Sequence, residues 1–419
     1  MQRTPELLAP LNDWKTLSPK LKVLDNADSI YFGTNFSMRA RAGNFLLEEL
    51  PRLSKKVHDY GDKLYICTNI VVYNDELQKL NETLEMAKRS GVDAAICYDF
   101  ASMQIAKEMG LKFHISTQMN ISNQFSAKYF EAMGASRINL SRELNLDQIK
   151  EIVSEVEIPV ECFVHGAMCT AISGRCYLSA ELMGFSQSYS ANRGKCAHQC
   201  RRIYSLVGED GELLDYEPFT GRFFSAKDLC MIEFIDLLID SNLFAFKIEG
   251  RMRDPLYISE TTQCYREAIE SVKDGTYTNE KKTNWLKRLA RVYNRGFHTG
   301  FYFSPPDPKD IELKVKGNAS HWKHIMVGTV SEYQIENSIA TIELTSGELR
   351  IGDTIIIQND EEFYTTTKII KLIHEGISVH NTGEASSSTH IIVLMPINEI
   401  LPKNAKVFKI QKVYDPVKH

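Results

Sequence analysis

Eight short apolar runs recur through the first 250 residues, with amphipathic stretches between them. The runs are "ELLA" (6–9), "SIYF" (29–32), "KLYICTNI" (63–70), "AAICY" (94–98), "KFHIST" (112–117), "RINLS" (137–141), "PVECFV" (159–164) and "FAFKIEG" (244–250). Most are continuous rather than alternating, as strands buried on both faces of a parallel sheet must be. Between them, "NDELQKLNETLEMAKRSG" (74–91) puts Leu77, Leu80, Leu84 and Ala87 on one stripe, and "ELNLDQIKEIVSEV" (143–156) repeats the pattern. A last helix is expected over "DPLYISETTQCYREAIESVKDG". This order predicts an α/β fold, a (β/α)8 TIM-like barrel. A doubly wound open sheet is the alternative, but it needs a glycine-rich phosphate turn after its first strand, and "LLAPLND" has none.

The rhythm breaks once. Between the seventh and eighth runs, residues 166–243 fill a connection for which about 20 residues would suffice. A hairpin around "SLVGEDGELLDY" (205–216) and a helix beginning near Asp228 are expected inside it. An insertion after a barrel strand lies on the C-terminal face, where barrel active sites are built. Beyond the linker-like "PPDPKD" (305–310), short segments such as "SIATIEL", "GDTIIIQ" and "HIIVLM" follow at regular spacing. They predict a small antiparallel β-barrel. The plan is therefore a barrel domain over 1–305, carrying a cysteine-rich insertion at 166–243, and a β domain over 312–419.

The net charge of −5 argues against a chain that binds nucleic acid through its overall charge, so any RNA contact needs a local basic patch. The first residues lack the apolar core of a signal peptide, and no run of 18 apolar residues occurs. The expectation is a cytoplasmic chain without a membrane span. In that setting nine cysteines, clustered rather than scattered, read as metal-binding or redox groups.

The cluster is Cys169-x6-Cys176-x19-Cys196-x3-Cys200. Four thiolates at one site repel one another unless a metal neutralises them. The two CxxC knuckles usual in zinc ribbons are missing, and the looser spacing, with Gly174 and Gly194 each two residues before a cysteine, suits an iron–sulfur cluster better. Zinc and unliganded thiols remain open at this level, and Cys230 in "SAKDLC" is an alternative fourth ligand in place of Cys200. Cys67, Cys97 and Cys264 read as core thiols.

"ECFVHGAMCTAISGRCYLS" (161–179) fits the pattern E-x-F-x-x-G-[SA]-[LIVM]-C-x4-G-x-C-x-[LIVM]-S at each fixed position. It resembles the signature of the collagenase-like peptidases of unassigned catalytic type. "SANRGKCAHQCR", "SAKDL", "FKIEGRMRDPLY", "SMRARAGNF" and "STQMNISN" are similar to that family as well. Better-understood members carry a [4Fe-4S] cluster and serve oxygen-independent hydroxylation of tRNA wobble uridine, ribosomal RNA cytidine or the ubiquinone ring. Length and the β-rich tail make the chain most similar to the prephenate-dependent tRNA uridine hydroxylation branch. The resemblance implies the cluster, prephenate as co-substrate, tRNA as partner and, for some members, a shorter homologous partner protein.

A peptidase is the rival reading. No HExxH or GxSxG occurs, but His165 precedes Cys169 by four residues, which leaves a thiol protease open. The strand ends carry polar groups suited to an anionic ligand: Arg39 and Arg41 after the second run, Gln118 and Asn120 after the fifth, Arg142 after the sixth. His165 ends the seventh, and Lys247, Glu249 and Arg251 end the eighth. Of these, Gln118, His165, Lys247 and Glu249 are the catalytic candidates. Arg39, Arg41, Asn120, Arg142 and Arg251 are the binding candidates, because guanidinium forks hold carboxylates bidentately. Arg201, directly after the cysteines, joins them as a phosphate contact, and "KRLARVYNRGFHTGFYF" (287–303) has a composition suited to single-stranded RNA.

Overall fold

The computed structural model describes residues 3–41, 45–212, 220–315 and 317–412. They form two units, Met1–Asn12 with Val23–Ala319 and Asp13–Lys22 with Ser320–His419.

In the first unit the eight apolar runs are eight strands: β1 (Glu6–Leu11), β2 (Ser29–Gly33), β3 (Lys63–Thr68), β4 (Ala94–Cys97), β5 (Lys112–Ile115), β6 (Arg137–Asn139), β7 (Val160–Ala167) and β8 (Ala245–Ile248). Each pairs in parallel with the next, and β8 pairs with both β7 and β1, closing the barrel. Continuous apolar runs follow from this closure, because both faces of every strand are covered. Leu7, Ile30, Phe32, Leu64 and Ile66 are fully buried on one face, while Leu8, Tyr31, Tyr65, Cys67, Ala94 and Ile96 form a cluster on the other. The amphipathic stripe read at 74–91 becomes the helix Leu77–Arg89, which buries Leu80, Leu84 and Ala87. Leu146–Ser154 starts at a capping box, in which Asn145 Oδ1 accepts from Gln148 N and Gln148 Oε1 accepts from Asn145 N, both at 2.9 Å.

The insertion departs from expectation at Asp228. Instead of opening a helix, Asp228–Cys230 is a short strand, antiparallel to β7 and parallel to Phe297–His298. The reason lies in β7, whose end at His165–Ala167 runs past its pairing with β6 and leaves backbone groups that need partners. The helix begins only at Ile235. Of the hairpin expected at 205–216, Tyr204–Ser205 pairs with Thr220–Gly221, and its remainder extends into 213–219, outside the described residues. The stretch after "PPDPKD" is laid against the insertion, with Lys227 N donating to Asp310 O (2.9 Å) and Glu312 N to Ser225 O (2.7 Å).

The second unit is one eight-stranded antiparallel sheet around a single apolar core that includes Val330, Ile342, Leu344, Ile355, Ile357, Val393 and Val407. Its strand Ile339–Leu344 buries Ala340, Ile342 and Leu344 and turns the residues between them outward, a period of two. Asp13–Lys22 belongs to this unit, where Ser18 Oγ donates to Tyr364 O at 2.8 Å. The division thus differs from a linear cut at 305–312: the first unit runs on to Ala319 and gives up ten N-terminal residues. Among the described residues, no helix is long and apolar enough to cross a membrane.

Candidate active site

The insertion folds back over the C-terminal ends of the barrel strands. Asn120, in a left-handed turn after β5, donates to Ser173 O at 3.3 Å. Arg193 donates to Glu76 and to Val71 O, and Cys176 N donates to Asn192 Oδ1 at 2.9 Å. The two glycines noted beside cysteines make this docking possible. Both have positive φ, and a Cβ on Gly174 would lie 2.8 Å from Gln118 Cγ, while one on Gly194 would overlap Ser37 O.

Docked in this way, Cys169, Cys176, Cys196 and Cys200 open onto one cavity shared with Arg39, Gln118, Arg142, Lys247, Glu249 and Arg251. Burial first, then the charges of Cys169, Cys196 and Cys176, pushes the Cys200 thiol up, with Arg201 opposing. Burial likewise raises Cys176, and Cys169 and Cys196 add to the shift. The raised thiols of Cys176 and Cys200, beside Cys169 and Cys196 at one opening, fit a group that takes thiolates and cancels their charge. Among the described residues, no three His, Cys, Asp or Glu side chains converge tightly enough to hold a single metal ion. Four thiols on one cavity are a donor set of the kind an iron–sulfur cluster uses.

Cys230 is not part of this set. It is buried in the strand beside β7, its sulfur 3.9 Å from the Tyr265 hydroxyl, and burial pushes its thiol up to about 12. The fourth cysteine at the cavity is Cys200.

A shell of guanidiniums surrounds Glu249. Burial works against its charge, yet Arg39, Arg253, Arg142 and Arg251 outweigh burial and hold the carboxyl at about 2. Arg39 Nε lies 3.4 Å from Glu249 Oε1, and Arg39 Nη1 is 2.7 Å from His198 Nε2. Arg251 donates to Ser37 Oγ at 3.1 Å. Arg142 lies over the Phe163 ring at 3.9 Å and donates to Ala167 O at 2.8 Å, while its buried Nε has no partner. Gln118 Oε1 accepts from Asn69 at 3.1 Å and meets Ser116 Oγ. Below the cavity, Lys247 donates to Glu161 Oε1 at 2.9 Å, and Arg137 bridges Glu161 Oε2 (3.2 Å) and Glu6 Oε1 (2.8 Å).

Four further candidates are placed elsewhere. Alternation from Glu161 and Phe163 would turn His165 into the barrel. The register of β7 against β8 slips by one residue, however, with Lys247 opposite Phe163 and Ile248 opposite His165. This bulge rotates His165 out of the barrel. There it packs against Tyr257, Tyr265 and Phe297, with Nδ1 3.3 Å from Tyr265 OH, and burial lowers its pKa to about 3. It cannot serve as catalytic base in the cavity or as the partner of a Cys169 nucleophile. Arg41 reaches Ser188 O and the Tyr189 ring at the surface, and Asn120 is spent on docking the insertion. Arg201 lines a neighbouring cleft and donates to Met168 O (2.6 Å) and Ala226 O (2.5 Å).

Sequence reasoning passed over Asn69, Glu161, His198 and Arg253. Two carried a visible signal: Glu161 is a lone charge within an apolar run, and Arg253 stands two residues beyond Arg251 in "EGRMRDP". In the 287–303 segment, Tyr302 is spent on packing, its hydroxyl donating to Phe163 O at 2.7 Å, whereas Tyr293 and Arg295 face the cleft of Arg201.

Comparison with known proteins places this geometry. A protein of Methanocaldococcus jannaschii named an uncharacterized protease is 41% identical over 389 residues, covering 90% of this chain and 93% of the relative. A collagenase of Porphyromonas gingivalis is 35% identical, covering 97% of this chain and 98% of its own. The tRNA hydroxylation protein P1 of Bacillus subtilis is 30% identical, covering 81% and 80%. The family model described as Peptidase family U32 matches residues 14–312, from the end of β1 to beyond the cysteine insertion. The chain belongs to peptidase family U32.

Proposed function

We propose that the chain is an iron–sulfur enzyme of RNA hydroxylation, forming 5-hydroxyuridine at the tRNA wobble position with prephenate as co-substrate. The observation that carries the reading is that four cysteines open onto an arginine-rich cavity at the barrel mouth. The likeness to a tRNA hydroxylation protein supports the choice of RNA. Cys169, Cys176, Cys196 and Cys200 would hold a [4Fe-4S] cluster, which when bound supplies electron-transfer chemistry beside the cavity.

The chain's own groups bind and orient. Arg142, with an unpartnered Nε aimed from a buried position, and Arg39 would clamp the two carboxylates of prephenate, each charge-assisted contact being worth about 1.5–3 kcal/mol. Gln118 and Asn69 offer amide groups for the polar edge of a pyrimidine. Glu249, held ionised by its guanidinium shell, fixes Arg39 in place, and Lys247 is fixed by Glu161.

The reading is tested by nucleoside mass spectrometry of tRNA from a deletion strain, together with iron and sulfide analysis of anaerobically purified protein. Expected are loss of 5-hydroxyuridine-derived nucleosides and about four irons and four sulfides per chain. Iron should be lost in Cys200→Ser and kept in Cys230→Ser. Unchanged tRNA nucleosides, or stoichiometric zinc without labile sulfide, would overturn it. Cleavage of gelatin by cluster-free protein, abolished by thiol alkylation, would support the peptidase reading instead.

A further inference from the structure

Beside the cysteine cavity lies a second cleft, reached around the Arg39–Glu249 pair that both share. We propose that this cleft is an oxyanion subsite that takes a phosphate or carboxylate group on Arg253 and Arg295. Its wall gathers residues from three distant segments: Arg39 after β2, His198 and Arg201 from the insertion, and Arg253, Tyr293 and Arg295 from beyond β8.

The charges do not balance. Four guanidiniums, those of Arg39, Arg201, Arg253 and Arg295, face Glu249 in the wall and Asp228 behind it. The other polar groups are already engaged: Arg201 donates to three backbone or hydroxyl acceptors, and Arg39 to Glu249 and His198. Arg295 and Arg253 are different. Both side chains are only 9% exposed. Arg295 spends one nitrogen on Asp228 Oδ1 at 3.1 Å, and Arg253 comes no nearer than 3.8 Å to Asp228 Oδ2. The Nε atoms of both are buried without a partner.

An unpartnered guanidinium nitrogen kept from water costs free energy, and a planar fork in that state matches an oxyanion. The fork is also held rigid. Tyr293 lies under Arg253 at 3.8 Å and beside Arg295 at 5.3 Å, and stacking of this kind fixes the plane that a bidentate acceptor must share. Two sources share the required chemistry, a phosphodiester of the RNA or a carboxylate of the small co-substrate. The subsite itself stands apart from the RNA reading, because inorganic phosphate and malonate probe it directly.

The test uses the cluster-loaded full chain and isothermal titration with inorganic phosphate and with malonate. Binding of at least one anion is expected, weakened about tenfold or more in Arg295→Gln and unchanged in the surface variant Lys128→Gln. Arg295→Gln leaves Asp228 without a hydrogen-bonded arginine. If that variant does not fold, Arg253→Gln, at a guanidinium with no hydrogen bond to Asp228, gives the same readout.

The two sources separate in a second pair of measurements. For an RNA phosphate, the variant lowers the salt slope of anticodon stem-loop binding by about one and leaves malonate binding unchanged. For a co-substrate carboxylate, it weakens malonate and prephenate binding and leaves the RNA salt slope unchanged. The proposal is overturned if wild type binds neither anion, or if it and both arginine variants bind them equally.

Discussion

The two units fill their interiors by opposite means. The apolar core of the second unit is dominated by aliphatic side chains, with Val330, Ile342, Leu344, Ile355 and Val407 at 0% exposure, and its ion pairs Lys406–Asp360 and Lys409–Asp353 involve residues outside that core. The barrel instead carries a chain of charges along its axis, from Glu6 through Arg137 and Glu161 to Lys247. Barrel interiors are usually layers of branched apolar side chains. Buried ion pairs rarely stabilise more than apolar residues of the same size, so their presence is better read as a device for holding charge in a fixed place. Here the chain ends at the floor of the cavity that the cysteines and arginines share. One unit's sequence is spent on packing and the other's on positioning.

That contrast can be broken experimentally. The largest effect is expected from Glu161→Ala, which strands Lys247 and half-strands Arg137; unfolding in denaturant should show a loss of about 3–5 kcal/mol in the first unit. Ile342→Ala in the second unit should cost about 3 kcal/mol through the cavity it leaves, with the first unit's transition unmoved. If both substitutions cost the same in the same transition, the two units are not separate in energy.

A more gradual effect, smaller per pH unit, concerns acid. Burial, with the charge of Arg253, holds His165 at about 3, against about 6.5 in an unfolded chain. Between these values the unfolded state binds a proton that the folded state refuses. The stability contributed by neutral His165 is therefore complete above pH 6.5 and falls as the pH drops toward 3, by about 1.4 kcal/mol per pH unit. His165→Phe should flatten that limb while leaving the second unit's acid response unchanged; an unaltered slope in urea titrations at pH 4–6 would contradict it. Smallest of all, Lys128→Ala removes an exposed pair with Glu155 and should change stability by less than about 0.5 kcal/mol.

Much of this was legible in the residues. Continuous apolar runs and a single overlong connection are local properties, and they located all eight barrel strands and the cysteine insertion. The four cysteines declared themselves by clustering, and Arg39, Gln118, Arg142, Lys247 and Glu249 by standing at strand ends, where a closed barrel must bring them together. Family membership became readable through the fixed positions of residues 161–179, which the match to the U32 family bears out.

Other decisions belonged to tertiary structure. Alternation predicts an inward His165, and the slipped register between β7 and β8 turns it out; Gly166, at positive φ inside the strand, is the one local sign of that irregularity, and the partner strand sets where the slip falls. Cys230 remained an alternative to Cys200 by spacing; the strand that β7 recruits at Asp228 buries it, while the docked insertion opens Cys200 to the cavity. Asp13–Lys22 reads as part of the barrel until its hydrogen bond to Tyr364 is seen. The second arginine cleft joins residues 39, 201, 253 and 295, whose meeting depends on barrel closure and on the fold of the insertion. Local pattern determines which segments become strands and helices, but register and long-range closure determine which side chains share a cavity.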